Sequence, residues 1–368
     1  MKKILIVFGT RPEAIKMCPL VLKLKKYDFF KVVVCVTGQH RQMLDQVLDF
    51  FKITPEHDLS IMGDKQTLFD ITTKALNGLH HVYESENPDA VLVHGDTPTA
   101  FTAALAAFYL RIPVGHVEAG LRSHDIYAPF PEEFNRQAIG IIARWHFAPT
   151  ENAKNNLLSE GKDPYTVFVT GNTVIDALKL TTRDHFNDET MAWAKDSRIV
   201  LLTAHRRENW GTPLRNIFNG IRRAIEQIPD AKIIFPIHQN PVVRHEAQVL
   251  RGCEQIRMIE PVDVLTFHNY IARCYMILTD SGGIQEEASA FGKPVLVLRD
   301  VTERPEGVKA GTLKVVGTDE QSVCENFLRL MTDREEYERM SHAASPYGDG
   351  HACEYIAKIL NSSLCNEA

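Results

Sequence analysis

The chain has 368 residues, 44% of them hydrophobic and 24% charged, with a formal net charge of −6. That length predicts two domains, each with its own core. The acidic balance argues against a general nucleic-acid surface, and no apolar run has the length of a bilayer span. The odd cysteine count, seven, and the lack of a CxxC pair argue against a disulfide framework or structural zinc. The expected compartment is the cytoplasm. The N-terminal Met1–Gly9 stretch is too short for a signal peptide and is followed at once by Arg11 and Glu13, so it reads as a buried first strand.

In chain order, Ile4–Phe8, Val32–Val36, Ala90–Val93 and Pro113–Val117 read as buried parallel strands. Helical patterns lie between them, around Ala14–Leu24, Met43–Phe51, Leu68–Glu84 and Thr99–Leu110. Pro19 is expected to kink or break the first helix. Leu180–Ser197 is polar and mixed, without a clear strand. A second series follows: Ile199–Leu202, Lys232–Phe235, Ile256–Ile259, Met276–Leu278 and Val295–Leu298. The pattern predicts two doubly wound α/β domains, with ligands at the carboxyl ends of the strands.

Chemistry-bearing residues gather at those ends. Gly9-Thr10-Arg11 joins the first strand to a helix, which makes Arg11 either an anion ligand or a solvated loop arginine. The loop lacks GxGxxG, so a dinucleotide is not indicated. Asp96, Glu118 and Glu132 each follow an apolar strand or a short loop. Each alone is an N-cap or a partner for Arg122 or Arg136; together they form an acid/base set whose like charges raise some pKa values. His94 and His116 each precede a carboxylate by two residues, and read as loop-orienting hydrogen-bond groups rather than metal ligands. In the second half, His205 and Arg206 follow a strand. Ser281-Gly282-Gly283 lets the backbone approach a phosphate, and Glu287, one turn on, suits a ribose diol.

Long motifs in fixed order carry a resemblance. They are FGTRPEAIK (8–16), TGQHRQMLDQVL (37–48), HGDT (94–97), GHVEAGLRS (115–123), PFPEEFNR (129–136), TGNTVIDAL (170–178), LLTAHRRENWG (201–211), ILTDSGGIQEEA (277–288) and LRDVTERPEG (298–307). The chain resembles the non-hydrolysing UDP-N-acetylglucosamine 2-epimerases over nearly its whole length. The resemblance implies the glycosyltransferase-B type of fold, two Rossmann-like domains around a central cleft. The expected limits are 1–170 plus 350–368 for the N-terminal domain with its returning helix, and 171–349 for the UDP-binding domain. It implies a homodimer and reversible C2 epimerisation of UDP-GlcNAc to UDP-ManNAc through 2-acetamidoglucal, which supplies ManNAc for bacterial surface polysaccharides. No metal and no cofactor are implied.

The resemblance assigns catalysis to Asp96, Glu118, Glu132 and His205. It assigns UDP binding to Arg11, Lys16, Phe267, Ser281, Gly282, Gly283, Glu287 and Arg304. A second, activating UDP-GlcNAc falls to Gln39, Gln42, Lys65, Arg206 and His238. Lys65 stands where family members carry Arg; it keeps the charge and loses the bidentate fork. The alternatives are a glycosyltransferase of the same fold, a hydrolysing epimerase that releases ManNAc, and a non-catalytic UDP-sugar sensor.

Overall fold

The structure is a computed structural model that describes residues 1–38, 41–63 and 66–365, with backbone alone at 41, 42 and 365. The chain divides into two compact units, Met1–Lys179 with Gly348–Ala368, and Leu180–Tyr347. The expected limit at 170/171 precedes helix Thr173–Thr181. That helix is tied to the first unit through Asp176, whose carboxylate accepts from the backbone N–H groups of Ala352 and Cys353 at 3.1 and 3.0 Å.

The first unit runs β1 (Lys2–Phe8), α1 (Arg11–Leu24), β2 (Phe30–Val36), α2 (Arg41–Phe51), β3 (His57–Asp58), α3 (Leu68–Glu86), β4 (Ala90–His94), α4 (Pro98–Tyr109), β5 (Val114–Val117), α5 (Glu132–Ile142), β6 (Trp145–Ala148), α6 (Glu151–Ser159), β7 (Val167–Val169) and α7 (Thr173–Thr181). Its sheet is wholly parallel, in the order β3-β2-β1-β4-β5-β6-β7. Ile4 to Phe8 are all completely buried, because helices cover both faces of a parallel sheet. Alternation sorts their side chains: Leu5 and Val7 join Val33, Cys35, Val91 and Val93 in a core with Ala75, Leu79, Ala103 and Ala107 of α3 and α4. The sequence pattern missed β3, β6 and β7, which are two to four residues long and too short for a clear period.

The second unit runs α8 (Glu189–Trp193), β8 (Arg198–Thr203), α9 (Thr212–Ile225), β9 (Ala231–Pro236), α10 (Pro241–Glu246), β10 (Ile256–Ile259), α11 (Val264–Arg273), β11 (Met276–Thr279), α12 (Gly282–Ala290), β12 (Val295–Val297), α13 (Pro305–Ala310), β13 (Leu313–Val315), α14 (Glu320–Thr332) and α15 (Arg334–Ser341). Its sheet is also parallel, in the order β10-β9-β8-β11-β12-β13. Val200, Leu202, Phe235 and Leu278 point to one face, against α9 and α14. Leu201, Ile234, Ile277 and Val295 point to the other, against Tyr270 and Ile271 of α11. α16 (Ala352–Cys365) returns to the first unit, where Lys23 of α1 meets Glu354 at 3.0 Å.

Of the two outcomes expected at Pro19, a kink or a break, α1 does not show the break. It is an unbroken helix from Arg11 to Leu24, with Pro19 buried inside it. Tertiary packing on both α1 and its neighbours overrides the lost backbone donor. The helix also begins under unusual control. Thr10 and Glu13 form a capping box. The Glu13 carboxylate is buried, and accepts from the N–H groups of Gly9 and Thr10 at 3.1 and 2.8 Å, and from the Thr10 hydroxyl at 2.8 Å. Its other oxygen accepts from the Thr97 hydroxyl at 2.8 Å. Burial pushes the Glu13 pKa up; the four donors oppose this, and the pKa stays raised. Gly9 is needed beside it: a Cβ there would stand 2.0 Å from Thr37 Oγ1 and 2.5 Å from Thr99 Oγ1.

Glu13→Ala removes the acceptor for four donors in a dry site. Urea unfolding should show the first unit destabilised by about 1–3 kcal/mol. An unchanged midpoint would make the carboxylate dispensable to the loop.

Candidate functional site

Both sheets change winding direction at their centre, between β1 and β4 in one unit and between β8 and β11 in the other. The crevice at such a point is where open α/β sheets bind ligands. In the first unit, the loops after β1, β4 and β5 place Arg11, Asp96 and Glu118 at that edge.

Asp96 sits between β4 and α4, and the first turns of α5 hold it. Asn135 donates to its backbone oxygen at 2.8 Å, and Arg136 donates to its carboxylate. Burial raises the Asp96 pKa; Arg136 lowers it, and Glu118 and Glu132 raise it again. The three carboxylates are therefore electrostatic neighbours. Glu132 is half-exposed in the first turn of α5. Its buried neighbour Glu133 accepts from Ser123 N–H at 3.0 Å and from Gln137 at 2.8 Å, with Arg136 at 3.3 Å. Arg136 thus bridges Asp96 to a second acid. Arg122 pairs elsewhere, with Glu160 at 2.6 Å.

Glu118 follows β5 with φ of +65°, a left-handed conformation that is strained for a non-glycine residue. Its carboxylate takes a bond from Lys16 and one from Asn172 at 2.9 Å, with His94 Nε2 at 3.7 Å. The Lys16 ammonium, which the resemblance assigns to UDP, lies on this carboxylate. Burial lowers the His94 pKa to about 4 and that of His116 to about 3, so both imidazoles are neutral near pH 7. His116 Nε2 lies 2.7 Å from the Gly95 carbonyl. A carbonyl only accepts, so His116 donates, and the ring orients the Asp96 loop. Among the described residues, the only His/Cys/Asp/Glu group spaced to hold an ion is the exposed set His80, His81 and Glu84. Arg11, half-buried at the start of α1, has no ion-pair partner among them.

In the second unit, Thr203 Oγ1 and Thr279 Oγ1 lie 2.6 Å apart and join the ends of β8 and β11. Just beyond, Asp280 is completely buried. One of its oxygens accepts from the N–H groups of His205 and Arg206 at 2.8 and 2.9 Å. The His205 ring stacks on His238, with centroids 5.5 Å apart. Burial lowers the His205 pKa, Asp280 opposes that, and His238 and Arg206 add to it.

Ser281 caps α12, which begins at Gly282. A Cβ on Gly283 would meet nothing within 4 Å, and one on Gly282 would meet only Glu303, Arg206 and Arg304 atoms at 3.6–3.9 Å. The helix N-terminus is open to an anion. Arg304 donates to buried Glu286. Glu287 Oε2 lies 3.8 Å from Nε2 of buried His268, whose Nδ1 is 2.8 Å from the Thr181 hydroxyl. Phe267 is partly buried against the Tyr270 core. Of the second-site residues, Arg206 and His238 adjoin His205, and Gln42 lies on α2. Gln39 and Lys65 lie outside the described residues.

Sequence reasoning missed Glu13, Asn172, Asp280 and His268, four buried or half-buried polar residues that orient others. Their burial is a property of the fold, and nothing local in the sequence marks it.

Arg136→Gln removes the group that lowers the Asp96 pKa. A carboxyl whose pKa is already raised should then ionise at still higher pH. Carbon-detected NMR titration of Asp96 should move upward; an unchanged or lower midpoint would deny the pairing.

Residues 22–361 match the family described as UDP-N-acetylglucosamine 2-epimerase. A Bacillus subtilis UDP-N-acetylglucosamine 2-epimerase is 55% identical over 359 residues, which cover 97% of this chain and 94% of that one. A putative enzyme of the same name from Listeria monocytogenes has a crystal structure that superposes with a TM-score of 0.95 at 50% identity, covering 100% of this chain and 98% of that one. The Neisseria meningitidis enzyme, solved bound to UDP-GlcNAc, superposes with a TM-score of 0.88 at 48% identity, covering 98% and 100%. The two parallel sheets, the strand-end carboxylates and these matches agree: the chain belongs to the UDP-N-acetylglucosamine 2-epimerase family, with an α/β fold of the glycosyltransferase-B type.

Proposed function

We propose that the protein is an isomerase that interconverts UDP-GlcNAc and UDP-ManNAc without hydrolysis. The observation that carries this reading is the group of carboxylates around Asp96, at the ends of β4 and β5 and the start of α5. Neither a sugar acceptor nor simple nucleotide binding calls for three acids at one strand-end crevice.

The C2 proton of the sugar is poorly acidic, because no carbonyl adjoins it. Breaking the C1–oxygen bond to the diphosphate, with its electron pair leaving on UDP, makes that proton labile. One carboxylate takes it, and 2-acetamidoglucal forms. A second acid returns a proton to the opposite face of C2 as UDP re-adds at C1. Asp96, Glu118 and Glu132 supply those groups. Burial and like charge raise Asp96 toward the range in which a carboxyl exchanges protons at useful rates. Lys16 and Asn172 hold Glu118 in place.

In this reading the second unit carries UDP. The open helix N-terminus at Ser281–Gly283 and Arg304 meet the diphosphate, Glu287 accepts from the ribose hydroxyls, and Phe267 lies against the uracil. Arg11 and His205 stabilise the leaving diphosphate, where charge develops. A second UDP-GlcNAc, held by Arg206 and His238 with Gln39, Gln42 and Lys65, activates the enzyme. The stacking of His238 on His205 supports that coupling. The enzyme acts as a homodimer, for which sedimentation should give a dimer mass.

The test is incubation with UDP-GlcNAc alone in D₂O with EDTA. UDP-ManNAc should appear, both epimers should carry deuterium at C2, and the rate should be sigmoidal in UDP-GlcNAc. Asp96→Asn, Glu118→Gln and Glu132→Gln should each lower kcat by about 10²–10⁴-fold. Release of free ManNAc would favour the hydrolysing reading, and no turnover would favour a binding protein.

Glu287→Gln replaces a charged acceptor by a neutral one. Calorimetry should show UDP binding weakened by roughly 1.5–3 kcal/mol; equal affinity would remove Glu287 from the ribose.

A further inference from the structure

Asp280 divides its carboxylate unevenly. Its Oδ2 accepts from His205 N–H at 2.8 Å, from Arg206 N–H at 2.9 Å and from the Asn209 amide at 3.3 Å. Among the described residues its Oδ1 accepts nothing, although Asp280 is completely buried. A buried carboxylate oxygen without a donor is costly and uncommon. Nδ1 of His205 lies 3.6 Å from this oxygen. That is longer than a hydrogen bond, as catalytic bonds often are before substrate binds.

We propose that Asp280 is a positioning residue for His205: it holds the imidazole with a proton on Nδ1, so that Nε2, on the opposite edge of the ring, serves the leaving diphosphate. The inference rests on the epimerase reading above for the identity of the diphosphate, and on the geometry of the second unit for everything else.

The surroundings of the ring leave this task to Asp280. His205 is faced by Asp280, His238 and Arg206. Arg206 and a protonated His238 repel an imidazolium. His238 Nδ1 accepts from Asn240 N–H at 3.1 Å, which places the proton of its neutral form on Nε2. Asp280 alone among the three favours the charged His205. It also grips the two backbone amides of the same loop, so the ring and its carboxylate cannot drift apart independently.

The step balances simply. The lowered His205 pKa makes the imidazolium the minor form near neutral pH, and the step draws on that form: with Nδ1–H directed at Asp280, its second proton is on Nε2. As the C1–oxygen bond breaks and its electron pair leaves on UDP, Nε2–H donates to the phosphate oxygen. When UDP re-adds, the proton returns to Nε2. Asp280 neither gains nor loses a proton in this step.

Nitrogen-15 NMR of histidine-labelled, full-length protein tests this directly, with the His205 signals assigned by their loss in His205→Gln. Neutral His205 should carry its proton on Nδ1 in the unaltered protein. Asp280→Asn keeps the shape, retains an acceptor for the loop amides and turns an N–H₂ toward Nδ1. Its neutral His205 should switch to the Nε2–H form and titrate at lower pH, because the stabilising anion is gone. The kcat should fall by about 10²–10⁴-fold, with UDP affinity within about threefold of the unaltered protein. An Nε2–H tautomer in the unaltered protein overturns the proposal, and that measurement does not need the variant to fold. So does an Asp280→Asn protein with unchanged tautomer, titration and kcat. If the unaltered protein shows the Nδ1–H form but does not convert UDP-GlcNAc, the epimerase reading fails while the assignment of Asp280 to His205 stands.

Discussion

A buried carboxylate stitches together the two central strand ends in each unit. In the first, Glu13 takes backbone N–H groups from the loop after β1 and the Thr97 hydroxyl from the loop after β4. In the second, Asp280 follows β11 and takes two N–H groups from the loop after β8. Moving a carboxylate out of water costs several kcal/mol, which hydrogen bonds offset; Glu13 has both oxygens bonded, whereas Asp280 has donors on one oxygen alone. The arrangement is thus strongly position-dependent. A loop that moves loses donors from a charged group in a dry site. Such bonds tie each loop to the neighbouring strand end, while regular secondary structure continues on either side.

The same constraint explains the company that Asp96 and Glu118 keep. Around Glu118 and the Asp96 loop, burial holds His94 and His116 neutral. A neutral His116 donates one proton to the Gly95 carbonyl and adds no cation beside the acids. Countercharge is rationed instead to Lys16 on Glu118 and Arg136 on Asp96. Asp96 stays above its ordinary pKa because burial and two neighbouring acids outweigh one arginine. Glu118 sits in a left-handed conformation, and bonds to Lys16 and Asn172 hold it there. Strain of this kind persists where surrounding contacts over-determine the backbone.

Much of this was legible without coordinates. The apolar runs located the long central strands, because a parallel sheet covered on both faces leaves continuous buried segments. The positions of Asp96, Glu118, His205 and Ser281–Gly283 after such runs placed them at the binding edge, since strand ends in this architecture all open on one side. Short edge strands such as β7 and β13 were not legible: three residues carry no periodicity. Pro19 does not break α1, for a related reason. A local rule about a missing donor does not weigh the burial of the whole α1 face, which is decided by strands distant in sequence.

The sequence by itself determined the α/β class, the family and the residue types at each strand end, because periodicity and motif order are properties of the chain alone. Tertiary structure decided which of those residues meet one another. Lys16 reaches Glu118 across 102 positions and His205 meets Asp280 across 75, and neither pairing has a local signature. Burial, too, arises only when the sheet is closed over by its helices. It is burial that raises Asp96, keeps His94 and His116 neutral, and makes the open oxygen of Asp280 matter.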